Sequence, residues 1–181
     1  MARIPPLERE HASPEVRARY DEQIRLHGRV TNMKRTLARD PLAYDTLLAW
    51  YPLRDRVAAF LGDFDTYIFA HAISAENECL VCSTFFRRIF IEAGEDPETL
   101  ATSPRRQVLV AFGRRLAREP HDVDDELYAS LAREFTPEQI VLLTAFGAMM
   151  IATNVFNDAL RVDLDEDLYP YRAQSVTAER A

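Results

Sequence analysis

What most narrows the fold of this chain is where its helices are told to begin. Ser13-Pro14, Asp40-Pro41, Ser103-Pro104 and Thr136-Pro137 each pair a capping residue with a proline. The side-chain oxygen of the first accepts an N–H left free in the first helical turn, and proline at N1 has no N–H to leave free. Thr136-Pro137-Glu138-Gln139 adds Gln at the third helical position, which completes a capping box. Glycine is scarce, and Gly28, Gly62 and Gly94 stand where the preceding helices should stop. Between these signals apolar residues recur at helical spacing, as in Val108, Leu109, Phe112 and Leu116. No stretch alternates polar and apolar residues for long enough to make a strand. The fold class is all-α.

The individual helices follow. One runs from Ser13 to Gly28. The next starts at Asp40, has Leu42, Leu47, Leu48 and Trp50 on its apolar side, and is ended or kinked by Pro52. A shorter helix through Val57, Phe60 and Leu61 stops at Gly62, and Asp63 caps one carrying Tyr67, Ile68, Phe69, His71 and Ile73. The helix from Thr136 to about Leu160 is apolar nearly all round through Ile151, which places it at the centre or in a subunit interface. The chain reads as a single helical domain over 1–181, with a core at about 30–165, an N-terminal arm at 1–12 and a C-terminal arm or tail at 163–181.

Both cysteines fall in Glu76-Asn77-Glu78-Cys79-Leu80-Val81-Cys82, at C-x-x-C spacing where an apolar helical pattern begins. A helix N-terminus favours thiolate over thiol, and a thiolate with a second sulfur in reach is the minimum apparatus for thiol–disulfide chemistry. On a helix Cys82 shares a stripe with Phe85, Phe86, Ile89 and Phe90, so Cys79 should be the more exposed sulfur. His71, on the preceding helix, is the candidate base, with Tyr67 one turn before it on the same face; Glu76 and Glu78 flank the cysteines. Each has an ordinary structural alternative, a packed core histidine or a solvated helix junction. Asn154, Asn157 and Asp158 form either an interface or pocket cluster or the polar end of a buried helix. No second C-x-x-C or H-x-x-x-H completes a zinc site, and no cofactor is expected.

With 181 residues and 48% hydrophobic content the chain can bury a real core, and its net charge of −7 argues against nucleic acid or an anionic membrane surface as partner. The first ten residues contain no apolar signal region, and the nearly apolar run Ile140–Ala152 is short for a bilayer. These features lead to the expectation of a soluble, cytoplasmic protein without membrane contact. Neither a G-x-G-x-x-G after a strand nor a G-x-x-x-x-G-K occurs, so nucleotide folds have no support.

The run His71–Leu100, containing Asn-Glu-Cys-Leu-Val-Cys and Ala-Gly-Glu-Asp, resembles the alkylhydroperoxidase D-like and carboxymuconolactone decarboxylase superfamily. The segments Leu37–Pro41, Phe135–Val141, Asn154, Asn157–Leu160 and Asp163–Asp165 resemble other parts of that domain, and together the likeness covers roughly residues 30–165. It implies a compact helical fold with the C-x-x-C at a helix N-terminus, assembled as a dimer, trimer or hexamer. It further implies reduction of a small-molecule peroxide, with Cys82 attacking, Cys79 resolving, and a thiol or dithiol donor restoring the pair. The departures are at the proton relay: Tyr67 stands where peroxidase members have Glu, Phe86 where they have His, and Val81 where many have His or Tyr. The expected function is therefore a thiol-dependent peroxide reductase. The alternatives are a disulfide reductase or redox sensor on the same fold, a decarboxylase-like lyase, and a catalytically degenerate oligomeric binding protein.

Overall fold

The computed structural model describes residues 1–173, and within them the secondary structure is helical throughout. The helices are α1 (Pro14–His27), α2 (Asn32–Leu37), α3 (Pro41–Leu48), α4 (Trp50–Leu61), α5 (Asp63–Glu76), α6 (Leu80–Glu92), α7 (Pro104–Arg118), α8 (Asp125–Glu134) and α9 (Pro137–Leu160). Ser13, Asp40, Ser103 and Thr136 cap α1, α3, α7 and α9 as the sequence predicts, and both halves of the Thr136–Gln139 capping box form. Two boundaries differ. The α3–α4 break falls at Ala49, not at Pro52, which is accommodated in the first turn of α4 where its missing N–H does no harm. Gly62, at φ 82°, is the cap of α5, and Asp63 is its first residue, placing a carboxylate at the positive end of the helix.

α5 is the hub. It packs on α7, α6, α4 and α9, and Phe69, Phe112 and Phe146 meet at its centre. Gly147 lets α9 approach closely: a Cβ there would stand 2.8 Å from Leu116 Cδ1 and 3.3 Å from Ile73 Cδ1. α9 is 24 residues long with a mean hydropathy of 1.7 over its most apolar window, so by length and composition it exceeds the short run read from the sequence. Its inner face buries Leu143, Phe146, Met150, Thr153, Asn154 and Asn157 in the protein core. Its outer face, Val141, Thr144, Ala148, Ala152, Val155 and Ala159, is exposed.

Both arms are tied down. The first twelve residues cross the end of α9 and the start of α2, with Arg3 N–H bonded to the Leu160 carbonyl and Leu7 N–H to that of Arg35. Beyond α9 a 3-10 turn at Glu166–Tyr171 packs on α6 and buries Leu168, so residues 163–173 are part of the folded body and not a tail. The rest of the predicted C-terminal tail, 174–181, lies outside the described residues.

Candidate active site

The cysteines sit at a turn built by two helices meeting end to start. After α5, Cys79 N–H bonds the Ser74 carbonyl and Glu78 N–H bonds that of Ala75, the paired closure of a Schellman motif. That motif needs a left-handed residue, and Glu78 supplies it at φ 56° where glycine is usual. Cys79 is then the N-cap of α6, and Cys82 lies three residues into that helix. The turn is held by side chains from outside it. Asn154, wholly buried on α9, donates to Asn77 Oδ1 at 3.0 Å and accepts from Ser74 Oγ at 3.3 Å, while Asn77 donates to the Ala117 carbonyl at 3.0 Å.

One turn along α9, Asn157 reaches both sulfurs. Its Nδ2 lies 3.2 Å from Cys82 Sγ, 4.0 Å from Cys79 Sγ and 3.5 Å from Met33 Sδ, and its Oδ1 is buried without a partner. Both thiols are free. The exposure order reverses the sequence expectation: Cys79 is 0% exposed and Cys82 7%. The reason is tertiary. As an N-cap Cys79 is not on the helical wheel at all, and the start of α6 is covered by the end of α9. The interaction with Cys79 and burial push the Cys82 thiol well up, while the Asn157 amide pulls it the other way. At Cys82 the pull of the helix N-terminus toward thiolate is thus opposed by burial and by Cys79.

Cys82 opens onto a cavity of about 80 Å³ between α2, α4, α6 and α9. Trp50, Tyr51, Phe85 and Phe86 give it aromatic walls, and Leu168 and Asp165 come from the segment after α9. Its polar lining is Thr31, Thr153, Asp165 and the Lys34–Tyr51 pair, with Lys34 Nζ 2.6 Å from Tyr51 Oη. Among the described residues no cluster of three or more His, Cys, Asp or Glu is placed to hold a metal.

In the Ralstonia eutropha JMP134 peroxidase-related protein whose structure is described as an alkylhydroperoxidase AhpD core, 94% of the chain superposes on 93% of this one with TM-score 0.74 and 20% identity. The chain has the alkylhydroperoxidase D core fold. A peroxidase-related protein from Silicibacter sp. TM1040 matches with TM-score 0.73 at 16% identity, covering 94% of this chain and 95% of its own. So does a variant of the debrominase Bmp8 in complex with 2,3,4-tribromopyrrole, with TM-score 0.73 at 19% identity over 93% and 94%. No family model matches the sequence, and a search of curated proteins gives no match.

The fold brings Tyr67 and Phe86 together. The Tyr67 ring packs on Phe86 with centroids 5.9 Å apart, and Tyr67 Oη accepts from Arg54 Nη2 at 2.7 Å. An aromatic pair thus fills the place where the resemblance puts Glu and His. His71 is not brought to the sulfurs. Its ring packs edge-on against Phe90, eight residues past Cys82 and so about 12 Å along α6. It lines a separate cavity with Glu98 and Arg114, and its Nε2 is buried without a partner. Burial, with Arg87 and Arg114 nearby, pushes its pKa down to about 4. Glu76 faces Arg118 at 3.7 Å, and Glu78 is exposed, its importance lying in its backbone. Asn157 stands out in the sequence only as one of a polar cluster. Lys34 and Tyr51 carry no signal there, since a lysine on a short helix between Met33 and Leu37 looks solvated.

Proposed function

We propose that this chain is a thiol-dependent peroxide reductase. The observation that carries the reading is the convergence of both free sulfurs on the Asn157 amide, with Cys82 alone of the two opening to an apolar cavity. Cys82, as thiolate, attacks the distal peroxide oxygen; the O–O bond breaks, an alcohol leaves with a proton, and a sulfenic acid remains. Cys79 then attacks that sulfur, releasing water and forming the Cys79–Cys82 disulfide. A dithiol donor reduces it. Cys79, sealed from the cavity, suits the resolving role. Neither Tyr67 nor Phe86 serves as base, so the Cys82 proton passes to solvent through the cavity, and the Asn157 amide and the helix N-terminus stabilise the thiolate that remains.

Cumene hydroperoxide consumption with dithiothreitol as donor tests this. Cys82→Ser should abolish turnover and sulfenate labelling. Cys79→Ser should stop turnover but leave a labelled sulfenate at Cys82. Consumption that survives in Cys82→Ser would sink the reading.

A second reading keeps the sulfur pair and changes the substrate. The aromatic walls of the cavity and the likeness to a debrominase favour a small halogenated aromatic ring. Cys82 would take the halogen from carbon, the ring carbon would gain a proton, and Cys79 would displace halide to give the same disulfide. Halide release from 2,3,4-tribromopyrrole, absent in Cys82→Ser, is the measurement.

A further inference from the structure

An ammonium group is buried in the wall of the cavity onto which Cys82 opens. Lys34 is 5% exposed, although lysine is almost never so enclosed unless paired. Its hydrogen bond goes to the Tyr51 hydroxyl, and the same ring lies 5.0 Å beneath the charge. An ammonium has three donors, and a tyrosine oxygen occupies one. Asp165 acts on it from beyond ion-pair distance and Arg29 opposes that effect; burial dominates and pushes the pKa down to about 8. Lys34, Tyr51, Asp165 and Cys82 line one cavity, whose remaining walls are largely apolar apart from Thr31 and Thr153. A charge kept there with its carboxylate neighbour, Asp165, beyond ion-pair distance is only partly compensated, which destabilises the empty protein and favours an anion that can reach the ammonium directly.

We infer that the cavity beside Cys82 takes a small, mostly apolar molecule with one acidic group, whose anion is bound by the Lys34 ammonium and the Tyr51 hydroxyl. Resting on the peroxidase reading, this makes the substrate an organic hydroperoxide carrying a carboxylate or similar acid, in preference to hydrogen peroxide or a neutral alkyl hydroperoxide. The ammonium supplies the charge and Tyr51 the direction. Trp50, stacked on Tyr51 at 4.2 Å, and His27, stacked on it at 4.5 Å, hold that ring in place.

Redox-inert probes separate the inference from the peroxidase reading. Calorimetry on the reduced protein should show phenylacetate binding more tightly than its neutral amide, phenylacetamide. Lys34→Met should weaken phenylacetate roughly 10–100-fold and leave phenylacetamide unchanged, the loss expected for hydrogen bonds to a charged group. Lys34→Arg should retain part of the preference, and Tyr51→Phe should lose part of it. Lys34→Met exchanges a buried charge for an apolar chain of similar length and should melt no lower than wild type. Phenylacetate affinity should also fall between about pH 7 and pH 9, as Lys34 deprotonates. The groups facing the ammonium are Arg29, Tyr51, His27 and Asp165; burial drives Tyr51 up to about 12, His27 down and Asp165 up. Equal binding of the two probes, no binding of either, or phenylacetate binding untouched in folded Lys34→Met overturns the inference. If cumene hydroperoxide is consumed but the probes show no charge preference, the inference fails and the peroxidase reading stands. Charge-dependent binding without peroxide consumption leaves the anion site standing and removes the peroxidase reading.

Discussion

Asn157 and His71 show how little a residue's type says about its task. The Asn157 amide is the donor nearest Cys82 Sγ, and a hydrogen bond favours the thiolate that burial and Cys79 disfavour. Asn157→Leu keeps the volume and removes a buried Oδ1 that has no partner. Iodoacetamide alkylation of Cys82 should slow roughly 10–100-fold with stability nearly unchanged, because the unpaired group goes with the donor. An unchanged alkylation rate would remove Asn157 from the chemistry. His71, packed on Phe90, should behave as a core residue: His71→Gln should leave the alkylation–pH curve as it is. Its effect belongs to stability. The folded pKa of about 4 lies below the 6.5 of an unperturbed histidine, so the unfolded chain binds the proton first as pH falls. Stability is therefore full above about pH 6.5 and is lost progressively toward about pH 4. Urea midpoints across that window should fall more steeply for wild type than for His71→Gln. A steeper or equal fall in the variant would contradict the buried, neutral imidazole.

At the scale of elements, the site is a junction of α5, α6 and α9 held by polar side chains. Asn154 is the tie: Ser74 Oγ at the end of α5 and Asn77 Oδ1 in the turn both depend on it. Asn154→Leu leaves the buried Ser74 hydroxyl and the half-buried Asn77 Oδ1 without this partner, which should cost about 1–3 kcal/mol by urea denaturation. Because the same turn sets Cys79 under Asn157, closure of the disulfide after peroxide addition should slow as well. A variant as stable as wild type, with unaltered disulfide formation, would mean that the turn holds without its tie. Glu78 belongs here too, since its left-handed backbone permits the reversal from α5 into α6.

For the whole molecule, the outer face of α9 poses the question. Val141, Thr144, Ala148, Ala152, Val155 and Ala159 form an exposed, largely apolar line along it, with Val141 67% and Val155 59% exposed. Small side chains on a helix face allow a second helix to come close. The homo-oligomer expected from the sequence is proposed to form through this face. Light scattering at micromolar concentration should give a mass well above the 20.8 kDa of one chain. Ala148→Arg with Val155→Arg should return it to that value. A wild-type monomer would rule the assembly out.

The order of residues is enough for the all-α class, the starts of α1, α3, α7 and α9, and the placing of the cysteine pair at a helix start. Caps, prolines at N1 and C-x-x-C spacing act within a few residues, and local signals survive without knowledge of the rest of the chain. Helical periodicity also set Cys82 on a buried stripe. What it lacks is the identity of the neighbour on each face. Packing made Cys79 the sealed sulfur, because the end of α9 covers the start of α6. Packing also sent His71 to Phe90, a consequence of how α5 meets α6 and not of either helix's own pattern. Lys34 is the plainest case: it lies on a six-residue helix, and the walls that bury it come from α4, α6, α9 and the segment beyond. Burial of a charge is a property of what surrounds it, and those surroundings are up to about 130 residues away in the chain.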